Sequence, residues 1–446
     1  MARAWFGTDG IRGVANARLT PELALRVGRA AVQRLQDAQP NPVVLIGRDT
    51  RRSGTMLEDA LAAGIASAGG HAVRLGVLPT PAVAWSVVQR KAAAGIVISA
   101  SHNPYPDNGI KLFGADGYKL LDAEEEAIEA LLDLDTTLPT GADVGTTSSV
   151  DGAADAYADW VADVAGTPLD GMRIVVDCAH GAAVTVAPRL FERLGASATL
   201  IACAPDGCNI NVDCGSTHLA AVAAAVRAHG ATLGVAFDGD ADRVLFVTAD
   251  GSHVDGDHIL TILAADAIAR NALPGNRVVL TSMANLGAHH ALRALGCTLE
   301  LTDVGDRYVL EAMRRDATAL GGEQSGHVIA LDHQTTGDGP LTATLVLAAL
   351  ARSGQTLAEA ASAVEKFPQN LISVRARREG LPECAPLWEA IAVAEAQLGE
   401  NGRIVVRSSG TEPLVRVMVE ARDAGECLAI AEALVAIVER ELPVVE

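Results

Sequence analysis

Aromatic residues make up only 3% of this sequence, so its interior must be filled by aliphatic side chains and alanine. No apolar run reaches the ~18 residues that a membrane-spanning helix needs. The opening Met1-Ala2-Arg3-Ala4-Trp5-Phe6 lacks the apolar stretch of an export signal. Positive charge is scarce: 35 Lys and Arg stand against 55 Asp and Glu, a formal net charge of −20. That balance argues against a nucleic-acid partner, which needs a basic footprint. Cys203, Cys208 and Cys214 lie near one another but lack the tight paired spacing that structural zinc prefers. Seven cysteines without an export signal point to a reducing compartment, and the expectation is a cytoplasmic protein with no membrane contact. No strong repeat of fixed period is visible, which argues against a solenoid.

What is present is an aliphatic α/β composition, 49% hydrophobic over 446 residues, enough for several domains of ~100–200 residues each. Strand, loop and helix patterns recur three times. A strand over 42–46 precedes a helix over 56–68. A strand over 173–176 precedes a helix over 182–194. A strand over 277–280 precedes a helix over 286–295 and a short strand over 299–301. Such alternation implies mixed or parallel sheets covered on both faces. The stretch 133–149, rich in Thr, Asp, Gly and Ser, reads as a connector, and further boundaries fall near 250–255 and 367–369. Beyond the last boundary the pattern changes to strands over 371–377, 403–406 and 414–420 with helices over 387–398 and 425–442. The expected domains are therefore 1–150, 151–253, 254–367 and 368–446.

Two segments carry the chemistry. Ser101, in Ser99-Ala100-Ser101-His102-Asn103-Pro104, follows the apolar run Gly95-Ile96-Val97-Ile98. The C-terminal end of a buried strand is where open α/β sheets bind ligands. A serine at a turn is by itself most often a turn residue, and this one sits in no G-x-S-x-G elbow. The second segment changes that reading. Asp238-Gly239-Asp240-Ala241-Asp242-Arg243 follows another apolar run, Leu233 to Phe237. Three carboxylates this close repel one another unless a cation neutralises them, and hard oxygen donors favour Mg²⁺ or Ca²⁺. An EF-hand is excluded, because Arg243 and Ala249 stand where that loop needs Gly and Glu.

With these two segments the chain resembles the α-D-phosphohexomutase family, and within it the enzymes that act on glucosamine phosphate. Five segments in the family's order carry the resemblance: Gly7 to Gly13, Ser99 to Pro104, Asp238 to Arg243, Gly322-Glu323-Gln324-Ser325-Gly326-His327, and Arg407-Ser408-Ser409-Gly410-Thr411-Glu412-Pro413. Gln324 is the form typical of the glucosamine branch, and Ala241 stands where glycine is common. The resemblance implies three related mixed α/β domains and a smaller C-terminal α+β domain around a central cleft, each giving one loop.

It also implies roles. Ser101 would carry a phosphoryl group and, with Asp238, Asp240 and Asp242, hold Mg²⁺. Arg12, Lys111, Arg243 and His327 would serve the transfer, with His102 supporting the loop. Glu323 and Ser325 would grip adjacent ring hydroxyls, and Arg407, Ser408, Ser409, Gly410, Thr411 and Arg416 would hold the phosphate that is not transferred. Arg48 joins the basic groups expected to converge on the cleft. The implied reaction interconverts α-D-glucosamine 6-phosphate and 1-phosphate through a bisphosphate, on the route to UDP-N-acetylglucosamine and cell wall. An activating hexose bisphosphate and a homodimer through the N-terminal domain follow from the same resemblance. A phosphomannomutase/phosphoglucomutase with the same mechanism remains open.

Overall fold

The computed structural model describes residues 4–7, 9–134, 137–408 and 414–443. Four sheets organise it. The first runs in the order Phe6–Gly7, Gly10–Val14, Asp107–Gly114, Ala94–Ile98, Val43–Arg48, His71–Val77, Thr147–Ser149. Val43–Arg48 is parallel to both neighbours, whereas Asp107–Gly114 turns back antiparallel to the central strand Ala94–Ile98. All five residues of Ala94–Ile98 are buried, as expected of a strand covered on both faces. The second sheet centres on Arg173–Asp177 and Leu233–Phe237, the third on Arg277–Thr281. Each mixes parallel and antiparallel pairs. The fourth is a purely antiparallel set, Gln369–Arg375, Leu414–Ala421, Gly402–Ser408. The α/β architecture with a C-terminal α+β unit is thus the one the sequence implies.

Strand and helix positions agree with the sequence patterns to within about two residues, with two exceptions. The stretch over 182–194 is not one helix but a 3-10 turn, Ala182–Thr185, followed by the helix Ala187–Arg193. Pro188 near the start of that helix explains the break, since proline is tolerated in the first turn but not inside a helix. The connector over 133–149 ends in the edge strand Thr147–Ser149, parallel to His71–Val77. Its Thr and Ser are all exposed, so no buried apolar pattern announces it.

One continuous apolar core runs through the first three sheets, from Leu45, Val83 and Phe113 through Tyr157 and Phe237 to Leu280 and Leu347. A second core fills the other face of the first sheet. The fourth sheet has its own, built from Val415, Val417, Val419, Leu434 and neighbours. It joins the third sheet through polar contacts. Asn285 Nδ2 donates to Phe367 O at 3.0 Å, Phe367 N–H donates to Asn285 Oδ1 at 2.9 Å, and Leu286 N–H donates to Glu420 Oε1 at 3.1 Å. Arg403 spans the same joint, donating to Ser282 O at 3.0 Å while pairing with Glu420.

Candidate active site

Ser101 sits in the turn after Ala94–Ile98, almost fully buried, with φ of 51°. Left-handed backbone costs a non-glycine residue roughly 1–2 kcal/mol, so the turn has to be held from outside. Arg51 does this. Its Nη2 donates to Ser101 O and Asn103 O, both at 2.8 Å, and its Nη1 reaches Pro104 O at 2.5 Å and Asp107 O at 3.0 Å. Asp49 orients Arg51 through Nε at 2.8 Å and accepts from Ser99 Oγ at 2.6 Å, and Ser99 Oγ in turn accepts from Ser101 N–H at 3.0 Å. From the second domain, Asn211 Nδ2 donates to Ser101 O at 2.9 Å.

The aspartate loop meets this turn directly. Ser101 Oγ donates to Asp238 Oδ2 at 2.6 Å. The approach requires Gly239, where a Cβ would stand 2.5 Å from Ser101 O. Asp238, Asp240 and Asp242 are all buried, and one ligand oxygen from each lies within 4.8 Å of the others. Thr80 Oγ1 donates to Asp240 Oδ2 at 2.6 Å. Asp240 Oδ1 and Asp242 Oδ1 are buried with no hydrogen-bond partner. Burial pushes the Asp238 carboxyl above its usual range, and Asp242 and Asp240 push it further. Orphaned oxygens, a hard donor set and mutual repulsion fit a divalent cation of the Mg²⁺ type. Asp242 is held low despite burial, chiefly by Lys111 and then His327.

Lys111 lies beneath this cluster. It is 2% exposed, with Nζ 3.1 Å from Asp240, 3.3 Å from Asp9 and 3.5 Å from Asp242. Burial opposes its charge, but Asp240, Asp9 and Asp242 outweigh it and hold the ammonium firmly protonated. It supports the cleft floor but does not line the cleft.

The cleft is a cavity of about 600 Å³ lined by Asp9, Arg12, Ser101, His102, Lys119, Asp242, Arg243, Asp306, Glu323 and His327, among others. Arg12 pairs with Asp9. Lys119 Nζ bridges the first and third domains, 2.8 Å from Asp9 Oδ1 and paired with Asp306. Burial works against the Lys119 charge, but Asp306 and Asp9 raise its pKa regardless. His102 Nδ1 is 3.3 Å from Ser101 Oγ. Burial, then Arg243 and Arg12, depress its pKa to about 4, so the ring is neutral at physiological pH. His327 is fixed by Gly337 N–H, which donates to its Nε2 at 3.1 Å, and Nδ1 faces Asp242 at 3.7 Å.

On the third-domain side, Glu323 Oε1 accepts from Gly305 N–H at 3.1 Å and Oε2 from Ser325 Oγ at 3.3 Å. Gln324 turns away: its Nε2 donates to Asp257 Oδ2 at 3.0 Å, outside the cleft lining. Arg407 and Arg416 are direct cross-strand partners. Among the described residues Arg416 Nε is buried without a partner, and burial followed by Arg416 lowers the Arg407 pKa. Two facing guanidiniums on one sheet call for an anion. Ser408 ends its strand exposed, whereas Ser409, Gly410 and Thr411 lie outside the described residues, as does Thr8.

Arg48 departs from expectation. Its Nε pairs with Glu58 Oε2 at 3.0 Å, and it does not line the cleft. Sequence reasoning missed Asp49, Arg51, Thr80, Lys119, Asn211 and Asp306. A usable signal existed for Asp49 and Arg51, which follow the C-terminal end of Val43–Arg48, where α/β sheets place their sites.

Sequence models of the phosphoglucomutase/phosphomannomutase domains match in order: α/β/α domain I over 3–137, II over 155–251, III over 255–367 and the C-terminal domain over 358–437. The chain belongs to this family. Among curated relatives, a phosphoglucosamine mutase of Moorella thermoacetica is 51% identical over 94% of this chain and 96% of its own length. That of Pelotomaculum thermopropionicum is 52% identical over 97% of this chain and 98% of its own. A phosphoglucomutase/phosphomannomutase family protein from Burkholderia thailandensis superposes with a TM-score of 0.82 at 26% identity, covering 98% of this chain and 99% of that one. An N-acetylphosphoglucosamine mutase from Aspergillus fumigatus shares the fold with a TM-score of 0.69 at 18% identity, covering 98% of this chain and 95% of that one. No described helix is long and apolar enough to cross a membrane.

Proposed function

We propose that this chain is a cytoplasmic phosphoglucosamine mutase, an intramolecular phosphotransferase that interconverts α-D-glucosamine 6-phosphate and 1-phosphate through a phosphoryl group on Ser101. Relatives about 50% identical over nearly the whole chain bear that name. The observation that carries the mechanism is the 2.6 Å contact of Ser101 Oγ with one carboxylate of a buried triad whose other two members keep unpartnered oxygens. Asp238, Asp240 and Asp242 would hold Mg²⁺. Bound there, the cation would neutralise charge on the phosphoryl group and on the departing serine oxygen.

In the first half-reaction a sugar hydroxyl oxygen bonds to phosphorus as the P–Oγ bond of Ser101 breaks; in the second, Ser101 Oγ bonds to the other phosphorus of the bisphosphate as that P–O(sugar) bond breaks. Net, one proton passes from the sugar hydroxyl to Ser101 Oγ in the first step and from Oγ back to the departing sugar oxygen in the second. His102 is neutral and has Nδ1 3.3 Å from Oγ, so it is placed to relay this proton. Lys111, protonated and below the cleft, suits charge stabilisation instead. Arg12 and Arg243 flank the transferring group, and His327 steadies Asp242 from the third-domain side. Glu323 and Ser325 would orient ring hydroxyls present in both binding orientations. Arg407 and Arg416, with Ser408, Ser409, Gly410 and Thr411, would hold the resting phosphate. The bisphosphate turns over and returns its other phosphoryl to Ser101. A free hexose bisphosphate would serve to reload serine lost to hydrolysis. The four domains expected from the sequence would each give one loop, and the first would form the homodimer contact.

The test combines two measurements. Intact mass should show phosphoryl gain on the native chain and none on Ser101→Ala. kcat/KM should favour glucosamine phosphate over glucose and mannose phosphates. Normal turnover by Ser101→Ala would end the mechanism, and a preference for glucose or mannose phosphate would move the substrate assignment.

A further inference from the structure

An amino sugar differs from a plain hexose by one ammonium group, and a cleft that prefers it needs an anion free to meet that group. Gln324 is not the reader in this geometry, because its Nε2 donates to Asp257 and its side chain does not line the cleft. Four carboxylates line the cavity: Asp9, Asp242, Asp306 and Glu323. Asp242 belongs to the triad and faces Lys111. Asp9 is enclosed by Lys111 at 3.3 Å, Lys119 at 2.8 Å and Arg12. Glu323 has both oxygens engaged, by Gly305 N–H and Ser325 Oγ.

Asp306 differs from all three. It is the first residue of the helix Asp306–Arg315, where the helix end favours an anion. Its side chain is 20% exposed to the cavity. Only Oδ2 is engaged, by Lys119, with His327 Nε2 3.7 Å away. Among the described residues no hydrogen bond reaches Oδ1. The preceding residue, Gly305, is the one bonded to Glu323, so Asp306 stands beside the carboxylate that would grip the ring. Lys119 has a second partner in Asp9, so Asp306 can turn to a ligand without stranding a buried cation.

We propose that Asp306 is the specificity-determining residue for the C2 substituent, its free Oδ1 accepting a charge-assisted hydrogen bond from the sugar ammonium. The proposal rests on the reading that glucosamine phosphate is the substrate. Lys119 has a matching secondary role: its positive charge beside the same spot opposes the ammonium and is tolerated because Asp9 and Asp306 share it.

The experiment reads one ratio, kcat/KM for glucosamine 1-phosphate over kcat/KM for glucose 1-phosphate, in the full chain with Mg²⁺ and glucose 1,6-bisphosphate. Asp306→Asn should lower the ratio about 10- to 100-fold, the worth of one charge-assisted hydrogen bond. Asp306→Glu should fall between the two. A merely structural role would depress both substrates together and leave the ratio unchanged, and that result overturns the proposal. Should Asp306→Asn fail to fold, Lys119→Gln decides. Removing that cation should raise the ratio, and a fall overturns the proposal. If the unsubstituted protein shows no preference for glucosamine phosphate, the substrate reading itself fails. A clear native preference with an unchanged Asp306→Asn ratio defeats the present inference alone.

Discussion

Removing the Arg51 guanidinium would leave Asp49 buried without its cation and would take one donor from each of four carbonyls around the Ser101 turn, leaving Ser101 O and Asn103 O to Asn211 alone among the described residues. Breaking one partner of a buried pair costs about 3–5 kcal/mol. Arg51→Ala should therefore lower unfolding free energy by that order in urea titration and reduce turnover with it. A loss below ~1 kcal/mol would mean the turn supports itself. His102 and His289 both have pKa values depressed to about 4, the first by burial and then Arg243, the second by burial and then Arg403. The unfolded chain binds these protons near pH 6.5 and the folded chain does not, so between about pH 6.5 and 4 the unfolded state holds more protons. These two groups make stability fall as pH falls through that window, against the opposite contribution of Asp257 and Asp338, whose carboxyls burial raises to about 7 and about 6. His289→Gln should make the variant lose less stability than the native chain on going from pH 7 to pH 5. An identical change in midpoint between pH 7 and pH 5 for the native chain and His289→Gln would contradict this. Ser101 and the three aspartates were legible in the sequence because their chemistry is local: a hydroxyl after a strand, three carboxylates with small spacers. Lys119 and Asp306 were not, because what gives each its place is a partner 110 to 187 residues away.

Among elements, the fixed imidazole of His327 depends on the loop before the helix Gly339–Ser353. A Cβ on Gly337 would stand 2.4 Å from the His327 ring, a contact real side chains do not make. Gly337→Ala should displace His327 and cut kcat at least tenfold while far-UV circular dichroism stays native. Unchanged kcat would show that His327 has no fixed place in turnover. The strands Gly402–Ser408 and Leu414–Ala421 oppose Arg407 to Arg416. Like charges directly opposite destabilise a sheet. Inorganic phosphate should therefore raise the melting temperature of the native chain, and Arg416→Ala should abolish the gain. The strand pair itself was plain from the apolar runs Ile404-Val405-Val406 and Val417-Met418-Val419, but the facing of two arginines depends on register, which spacing alone does not reveal. The edge strand Thr147–Ser149 escaped for a related reason: an exposed polar strand carries no burial pattern.

At the scale of the molecule, three sheets share one core and the fourth has its own, held across a joint by hydrogen bonds, among them Arg403 to Ser282 O and Leu286 N–H to Glu420. Arg403→Met should weaken that joint and split a single calorimetric transition into two. One cooperative transition in the variant would show that the fourth sheet melts with the rest for another reason. The order and class of the sheets followed from alternation along the chain. That three of them would fuse into one interior did not, since the faces that meet are set by tertiary packing and each strand looks equally buried in sequence.

Three walls built on one continuous interior should move as a unit, so the serine turn, the aspartate loop and the sugar loop would act as a single mould. Only the arginine-bearing wall stands on a separate foundation. An inhibitor shaped to the mould alone would leave that wall free and would come and go with its own contacts. One that also spans to Arg407 and Arg416 would latch the wall shut, and its residence time would be governed by how often the latch slips.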